Sequence, residues 1–199
     1  MATDPFEPLR AALSRSGGAS SDFDLNPDTM LPPGRKLRPA GVLVPFIERN
    51  GALEVILTKR ASGLKHHPGQ IAFPGGKQDE GDSDVTAAAL REAREEIGLP
   101  PENVDLLGTL PSHETVTGFT VTPVLGRVLA AFDPIPEPGE VDEVFRVPLA
   151  HVTDPARFRV ESRRWLGQRR YNNTDPYGPY NIWGATARIL RGLAERMRG

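Results

Sequence analysis

The stretch FPGGKQDEGDSDVTAAALREAREEIGL, Phe73 to Leu99, limits what the chain can be more than any other. A Pro-Gly-Gly turn leads into a helix-like run that carries Glu92, Glu95 and Glu96. A helix is predicted over about 84–97, because Gly98 follows the last periodic residue and Pro100-Pro101 stand just beyond, the usual C-terminal stop. At about 100° per residue the three carboxylates fall within an arc of roughly 100°, with Thr86, Leu90, Ala93 and Ile97 nearly opposite. The helix is therefore expected to pack by its apolar face and display the carboxylates. Like charges at i,i+3 and i,i+4 cost a few tenths of a kcal/mol each, so helix stability is not what the pattern serves. A hard divalent cation reverses the sign, since Mg²⁺ or Mn²⁺ takes carboxylate and carbonyl oxygens and shares substrate phosphates. Gly75 and Gly76, without side chains, let the backbone approach a metal or an anion closely. Arg91, four residues before Glu95, is placed to hold that carboxylate.

The rest of the chain supplies mostly strands. GVLVPFIE and LEVILTKR flank Arg49-Asn50-Gly51-Ala52, and Asn-Gly between two β-rich runs is the strongest short hairpin signal, so 41–48 and 53–59 are expected to pair antiparallel. Further strands are predicted at 70–73, 104–110, 121–129, 143–149 and 157–166. A second long helix is predicted over about 182–197, and residues 5–15 suit a short amphipathic helix. Residues 17–39, rich in Gly, Pro, Ser and Asp, read as a linker, with the fold proper beginning near Ala40. The order is α+β, without a repeated βα unit, with two helices to cover a sheet.

Composition narrows the chemistry. A chain of 199 residues, 38% hydrophobic, suits one domain of the usual ~100–200 residues. The net charge of -2 and pI near 6.1 argue against a nucleic-acid partner. With no Cys there is no thiolate nucleophile, disulfide framework or thiolate metal site, which leaves oxygen and imidazole ligands. No apolar stretch approaches the ~18 residues a membrane span needs, and the start MATDPFEPLR has the features of neither a signal nor a transit peptide. A soluble, cytoplasmic protein without a membrane partner is expected.

Arg91-Glu92-Ala93-Arg94-Glu95-Glu96-Ile97-Gly98-Leu99, after Gly75-Gly76, resembles the signature of the Nudix hydrolases. The resemblance implies a Nudix-type α/β/α sandwich around a mixed β-sheet, and hydrolysis of a nucleoside diphosphate linked to another group. It spans about residues 38–195, so 38–199 is expected to form the domain and 1–37 an N-terminal extension or linker. Gly76 to Arg91 encloses 14 residues, one more than the general pattern, and Asp82-Ser83-Asp84 stands where its mid-motif Glu falls. Ala93 is smaller than the usual aliphatic residue. These departures resemble one branch, the coenzyme A pyrophosphatases, as do Arg60, Leu64, His67, Gly69-Gln70 and Phe73-Pro74-Gly75-Gly76, the run VTGFTVTPV at 116–124 and WGATARI at 183–189.

By this resemblance Glu92 and Glu96 are the first metal ligands and Glu95 the third, with the Gly75 or Gly76 carbonyl completing the shell around Mg²⁺ or Mn²⁺. Glu92 and Glu95 also count as catalytic. Glu140 is the candidate base or further ligand, with Glu143 second. Arg60, His67, Gly75 and Gly76 are the candidate substrate contacts. Of the 24 basic residues 20 are Arg, the better phosphate fork, and six lie between 157 and 170, where an exposed basic strand is the simplest reading. The expected substrate is coenzyme A or a derivative, giving 3',5'-ADP and 4'-phosphopantetheine. The alternatives are ADP-ribose, NADH or a dinucleotide as substrate, or a nucleotide-binding regulator without turnover. Three retained glutamates favour the enzyme.

Overall fold

The computed structural model describes residues 4–165 and 167–198. The chain opens with α1 (Glu7–Ser14) and a two-residue strand β1 (Ser20–Ser21). It then enters the expected hairpin, β2 (Arg38–Arg49) and β3 (Ala52–Arg60). Phe46 faces Val55 and Arg49 faces Ala52 across the ladder. Asn50 and Gly51 have φ of 52° and 78°, the left-handed pair that a tight hairpin turn requires. Next come β4 (Ile71–Ala72), β5 (Gly75–Lys77) and the carboxylate helix α2 (Val85–Ile97). After α2 lie β6 (Val104–Thr109), β7 (His113–Glu114), β8 (Phe119–Val128), β9 (Val141–Pro148) and α3 (Leu149–Val152). The last part is β10 (Arg159–Trp165), β11 (Gln168–Tyr177), β12 (Tyr180–Trp183) and α4 (Ala185–Arg198).

Among the described residues the strands form a nine-stranded sheet ordered β1-β7-β8-β2-β3-β4, with β5 on β2, β6 on β8 and β9 on β3, and a three-stranded sheet β10-β11-β12. The large sheet is mixed: β2 runs parallel to β8 and antiparallel to β3. Alternation along β2 sends neighbouring side chains to opposite faces. Leu43 and Ile47 pack with Ala89, Ala93 and Ile97 of α2. Val44 and Phe46 pack with Phe6 and Leu9 of α1 and with Leu190 and Leu193 of α4. Helices thus cover both faces, and the fold is an α/β/α sandwich of the Nudix type.

Three elements differ from the sequence reading. α4 starts at Ala185 rather than near 182, because Tyr180–Trp183 pairs with β11 as a strand and Gly184 turns the chain at φ 67°. β11 carries Gln, Arg and Asn and gives little apolar alternation, so nothing in its composition announced it. The segment 1–37 holds α1 where the helix over 5–15 was expected, but it also docks: Leu9 and Ala12 of α1, and Phe6 just before it, are fully buried in the same core as α4. Among the described residues no helix is long and apolar enough to cross a membrane.

Candidate active site

Two local features bring the carboxylate helix against the sheet. Asp84 caps its start by accepting the Ala87 N–H at 2.8 Å, and Gly98 ends it at φ 69°. The second feature is a set of close approaches that only glycine permits. A Cβ on Gly41 would sit 1.8 Å from the Val85 carbonyl oxygen, so the first turn of α2 lies directly on β2. β5 runs antiparallel on the same strand, with Gly75 opposite Val42 and Gly76 opposite Gly41. A Cβ on Gly76 would stand 2.5 Å from Glu92 Oε1, which makes this glycine the floor on which that carboxylate rests.

The carboxylates are consequently not all displayed. Glu96 is buried at 7% exposure and accepts the Gly75 N–H at 3.1 Å. Its burial follows from β5 covering the end of the helix, a contact that periodicity within the helix cannot register. Glu92 retains 16% side-chain exposure and Glu95 57%. Burial pushes the Glu96 carboxyl up to about 7, opposed by the Gly75 N–H and Arg60 and reinforced by Glu92 and Glu140. Glu92 is raised as well, by burial first and by Glu95 and Glu140 in addition, against the hydrogen bond from Arg91. These costs lie in the folded protein itself, and a cation placed between Glu92 and Glu96 would relieve them.

Arg91 organises the remainder. Its Nε and Nη2 meet the two oxygens of Asp82 at 3.0 and 2.9 Å, and its Nη1 donates to Glu92 at 2.9 Å and Glu95 at 3.1 Å. The guanidinium in turn holds the Asp82 carboxyl below the usual carboxylate range. Asp82 thus fills, by a charge-assisted fork, the place where the family pattern has a glutamate. Among the described residues no three carboxylate or imidazole groups have already closed around one point. Arg91 stands between Glu92 and Glu95, and it is Glu92, Glu96 and the Gly75-Gly76 backbone that share the floor. That donor set, two carboxylates with backbone beside them, suits a hard divalent cation.

Glu140 lies in the exposed turn before β9, next to Val141, which pairs with Arg60 across β3 and β9. It is near enough to raise both Glu92 and Glu96. Glu143, the second candidate, is engaged by the Tyr180 hydroxyl. Arg60 ends β3 with its Nε buried and without a hydrogen-bond partner. Its charge acts on Glu96 on one side and on His67 on the other. His67 has φ 51°, and its pKa is lowered by burial, then by Arg60 and His66. It meets the edge of Trp183 with ring centroids 6.2 Å apart.

His67 and Trp183 open onto a cavity of about 310 Å³, also lined by Val116, Thr117, Arg163 and Arg164. Arg163 lies over Trp183, 4.7 Å from the ring centroid. The basic strand expected to be merely exposed therefore supplies a wall, and Trp183, which had no expected role, supplies another. The signal that could have found them is cross-strand: Arg163 faces Arg170 and Arg164 faces Arg169, so the hairpin gathers four guanidiniums. His113 proves fully buried and bonded on both nitrogens, to Ser20 and to Asp22. A wider cleft of about 430 Å³ lies between the 15–20 segment and α4 and borders none of α2.

The NUDIX domain family matches residues 37–168. The chain is 42% identical over 165 residues to the uncharacterized Nudix hydrolase NudL of Enterobacter sp. (strain 638), covering 79% of this chain and 81% of the relative. With the uncharacterized Nudix hydrolase NudL of Pectobacterium atrosepticum it shares 40% over 172 residues, covering 86% and 89%. Among solved structures it is similar to RenU, a Nudix hydrolase from M. smegmatis, with a TM-score of 0.50 and 27% identity over 60% of this chain and 74% of that one. A MutT/nudix family protein from Enterococcus faecalis, 19% identical with a TM-score of 0.51 over 85% and 65%, shares the fold. The matched span holds the hairpin, the Pro-Gly-Gly turn, the carboxylate helix and Glu140, and the chain belongs to the Nudix hydrolases, enzymes of nucleoside diphosphate derivatives.

Proposed function

We propose that this enzyme is a divalent-metal-dependent diphosphatase of coenzyme A or its derivatives. The reading is carried by one observation: His67, from the segment just before the carboxylate helix, lines a cavity together with Arg163, Arg164 and Trp183. A diphosphate resting at Arg60 would have its scissile link beside Glu92 and Glu96 and its phosphorylated nucleoside among Arg163, Arg164 and Trp183. Guanidinium forks suit an extra phosphate, and Trp183 offers a face to adenine.

Glu92 and Glu96, with the Gly75-Gly76 backbone and Glu95 from the helix surface, would hold Mg²⁺ or Mn²⁺. Bound there, such a cation would supply charge neutralisation for the diphosphate oxygens. Every other role falls to the chain. Arg60, at the end of β3 in the matched upstream segment, is the candidate cation for a phosphate oxygen. Glu140, exposed and close to Glu92 and Glu96, takes the proton of the attacking water. The water oxygen forms the new bond to phosphorus, and the bridging oxygen leaves with the other phosphate. Arg91 keeps Glu92 and Glu95 in place, and His67 borders the cavity just beyond Arg60.

The test is a substrate panel with Mg²⁺ and a chelator control: coenzyme A, acetyl-CoA, ADP-ribose, NADH and dinucleoside polyphosphates. The expected result is chelator-sensitive release of 3',5'-ADP from coenzyme A with the highest kcat/KM of the panel. Preference for ADP-ribose or NADH would keep the metal site and reject the cavity assignment. Tight binding without turnover of any substrate would make the protein a regulator.

A further inference from the structure

The segment between α1 and β2 reads as a linker, yet it touches two walls of the cavity. It joins the sheet edge as β1, with Ser20 opposite His113 and Ser21 opposite Glu114. His113, fully buried, meets Ser20 Oγ through Nδ1 at 2.9 Å and Asp22 Oδ1 through Nε2 at 3.0 Å. The other Asp22 oxygen accepts the Val116 N–H at 2.8 Å. Both nitrogens of the imidazole and both oxygens of the carboxylate are thereby engaged, which fixes the 115–117 wall in one geometry.

Four residues on, Asn26 ties the other wall. Its Nδ2 donates to the Tyr171 carbonyl at 3.0 Å and its Oδ1 accepts the Tyr171 N–H at 2.9 Å. β12 pairs with β11 only from Thr174 onward, so at Tyr171 one edge of the strand has no strand partner, and a single carboxamide takes that place. Asn26 Nδ2 also donates to the Asp22 carbonyl at 2.8 Å, joining the two ties. One tie ends on the loop with Val116 and Thr117, the other on the hairpin that carries Arg163 and Arg164; both border the cavity, and Asp22 itself lines it between them.

We infer that Asp22 and Asn26 are positioning residues that set the spacing of these two walls, and through it which diphosphate derivative the enzyme accepts. The inference rests on the reading that the cavity receives the group beyond the diphosphate. Neither residue reaches the carboxylates of α2, so loosening a tie acts on recognition of that group and leaves the bond-breaking step alone.

The experiment compares wild type with Asn26→Ala, Asp22→Ala and the conservative Asp22→Asn, each with Mg²⁺. Each is assayed on the wild type's preferred substrate and on derivatives that differ beyond the diphosphate. Both alanine variants are expected to raise KM for the preferred substrate about tenfold, with kcat within about twofold, and to narrow the discrimination between substrates. Asp22→Asn, which can still accept from Val116 and meet His113, keeps the wild-type KM. An unchanged KM in both alanine variants overturns the inference, as does a fall in kcat on every substrate that parallels a loss of Tm. If neither alanine variant folds, Asn26→Asp carries the test, since it keeps the acceptor and loses the donor: an unchanged KM overturns the inference, and a raised one supports it. Because the wild-type assay chooses the substrate, a preference for ADP-ribose would reject the coenzyme A reading while leaving this test standing.

Discussion

Glu96 is where the residue-scale energetics are most exposed. Its carboxyl titrates near 7 in the folded chain against 4.5 ordinarily, so between these values the folded state keeps a proton that the unfolded state has released. Stability of the metal-free protein therefore declines as pH rises through that window and levels off above 7, a loss of roughly 3 kcal/mol. Thermal unfolding of metal-free wild type from pH 5 to 8 should show this fall, and Glu96→Gln should flatten it. The same variant is expected to lose turnover at least about 100-fold in Mg²⁺. A wild-type profile without the fall would mean that Glu96 is solvated. Part of this cluster was legible in the sequence. Arg91 to Glu95 is an i,i+4 step and lies at 3.1 Å as the spacing implies. The pairing of Asp82 with Arg91 was not legible, because a loop and not a helical period brings the two together.

At the scale of elements, α2 and the Pro-Gly-Gly turn work as one unit. Ala88 and Ala89 are both fully buried, and the small side chain of Ala89 packs with Leu43 and Ile47 where the helix closes on β2. Gly76→Ala tests this unit. The added methyl would fall 2.5 Å from Glu92 Oε1, and moving a catalytic group by about 1 Å costs about 100-fold. We expect kcat to fall on that order with a far smaller change in Tm, measured by steady-state kinetics and thermal unfolding. Activity retained in Gly76→Ala would show that Glu92 does not need its observed position. The hairpin β2–β3 was legible from Asn50-Gly51 alone, since its turn is local chemistry. The β10–β11 hairpin was half legible: β10 has strand-forming residues, whereas β11 is held by its neighbours rather than by its own composition.

For the whole molecule, the sandwich was legible only through the family resemblance, and the N-terminal helix was legible while its packing was not. Composition marks residues 17–39 as a linker because Gly, Pro and Ser lower hydrophobicity, and it cannot show that the flanking helix α1 packs on α4. Leu9→Ala should cost about 2–5 kcal/mol in urea unfolding, the range for a buried leucine, where a true extension would cost nothing measurable. The two faces of the large sheet are covered at this scale too, one by α2 and the other by α1 and α4. The most direct measurement of the central claim is product analysis of coenzyme A incubated with Mg²⁺ and either wild type or Glu96→Gln. The account predicts 3',5'-ADP and 4'-phosphopantetheine from wild type, abolished by chelator and nearly absent with Glu96→Gln. Intact coenzyme A in the wild-type reaction, or equal cleavage by the variant, would contradict it.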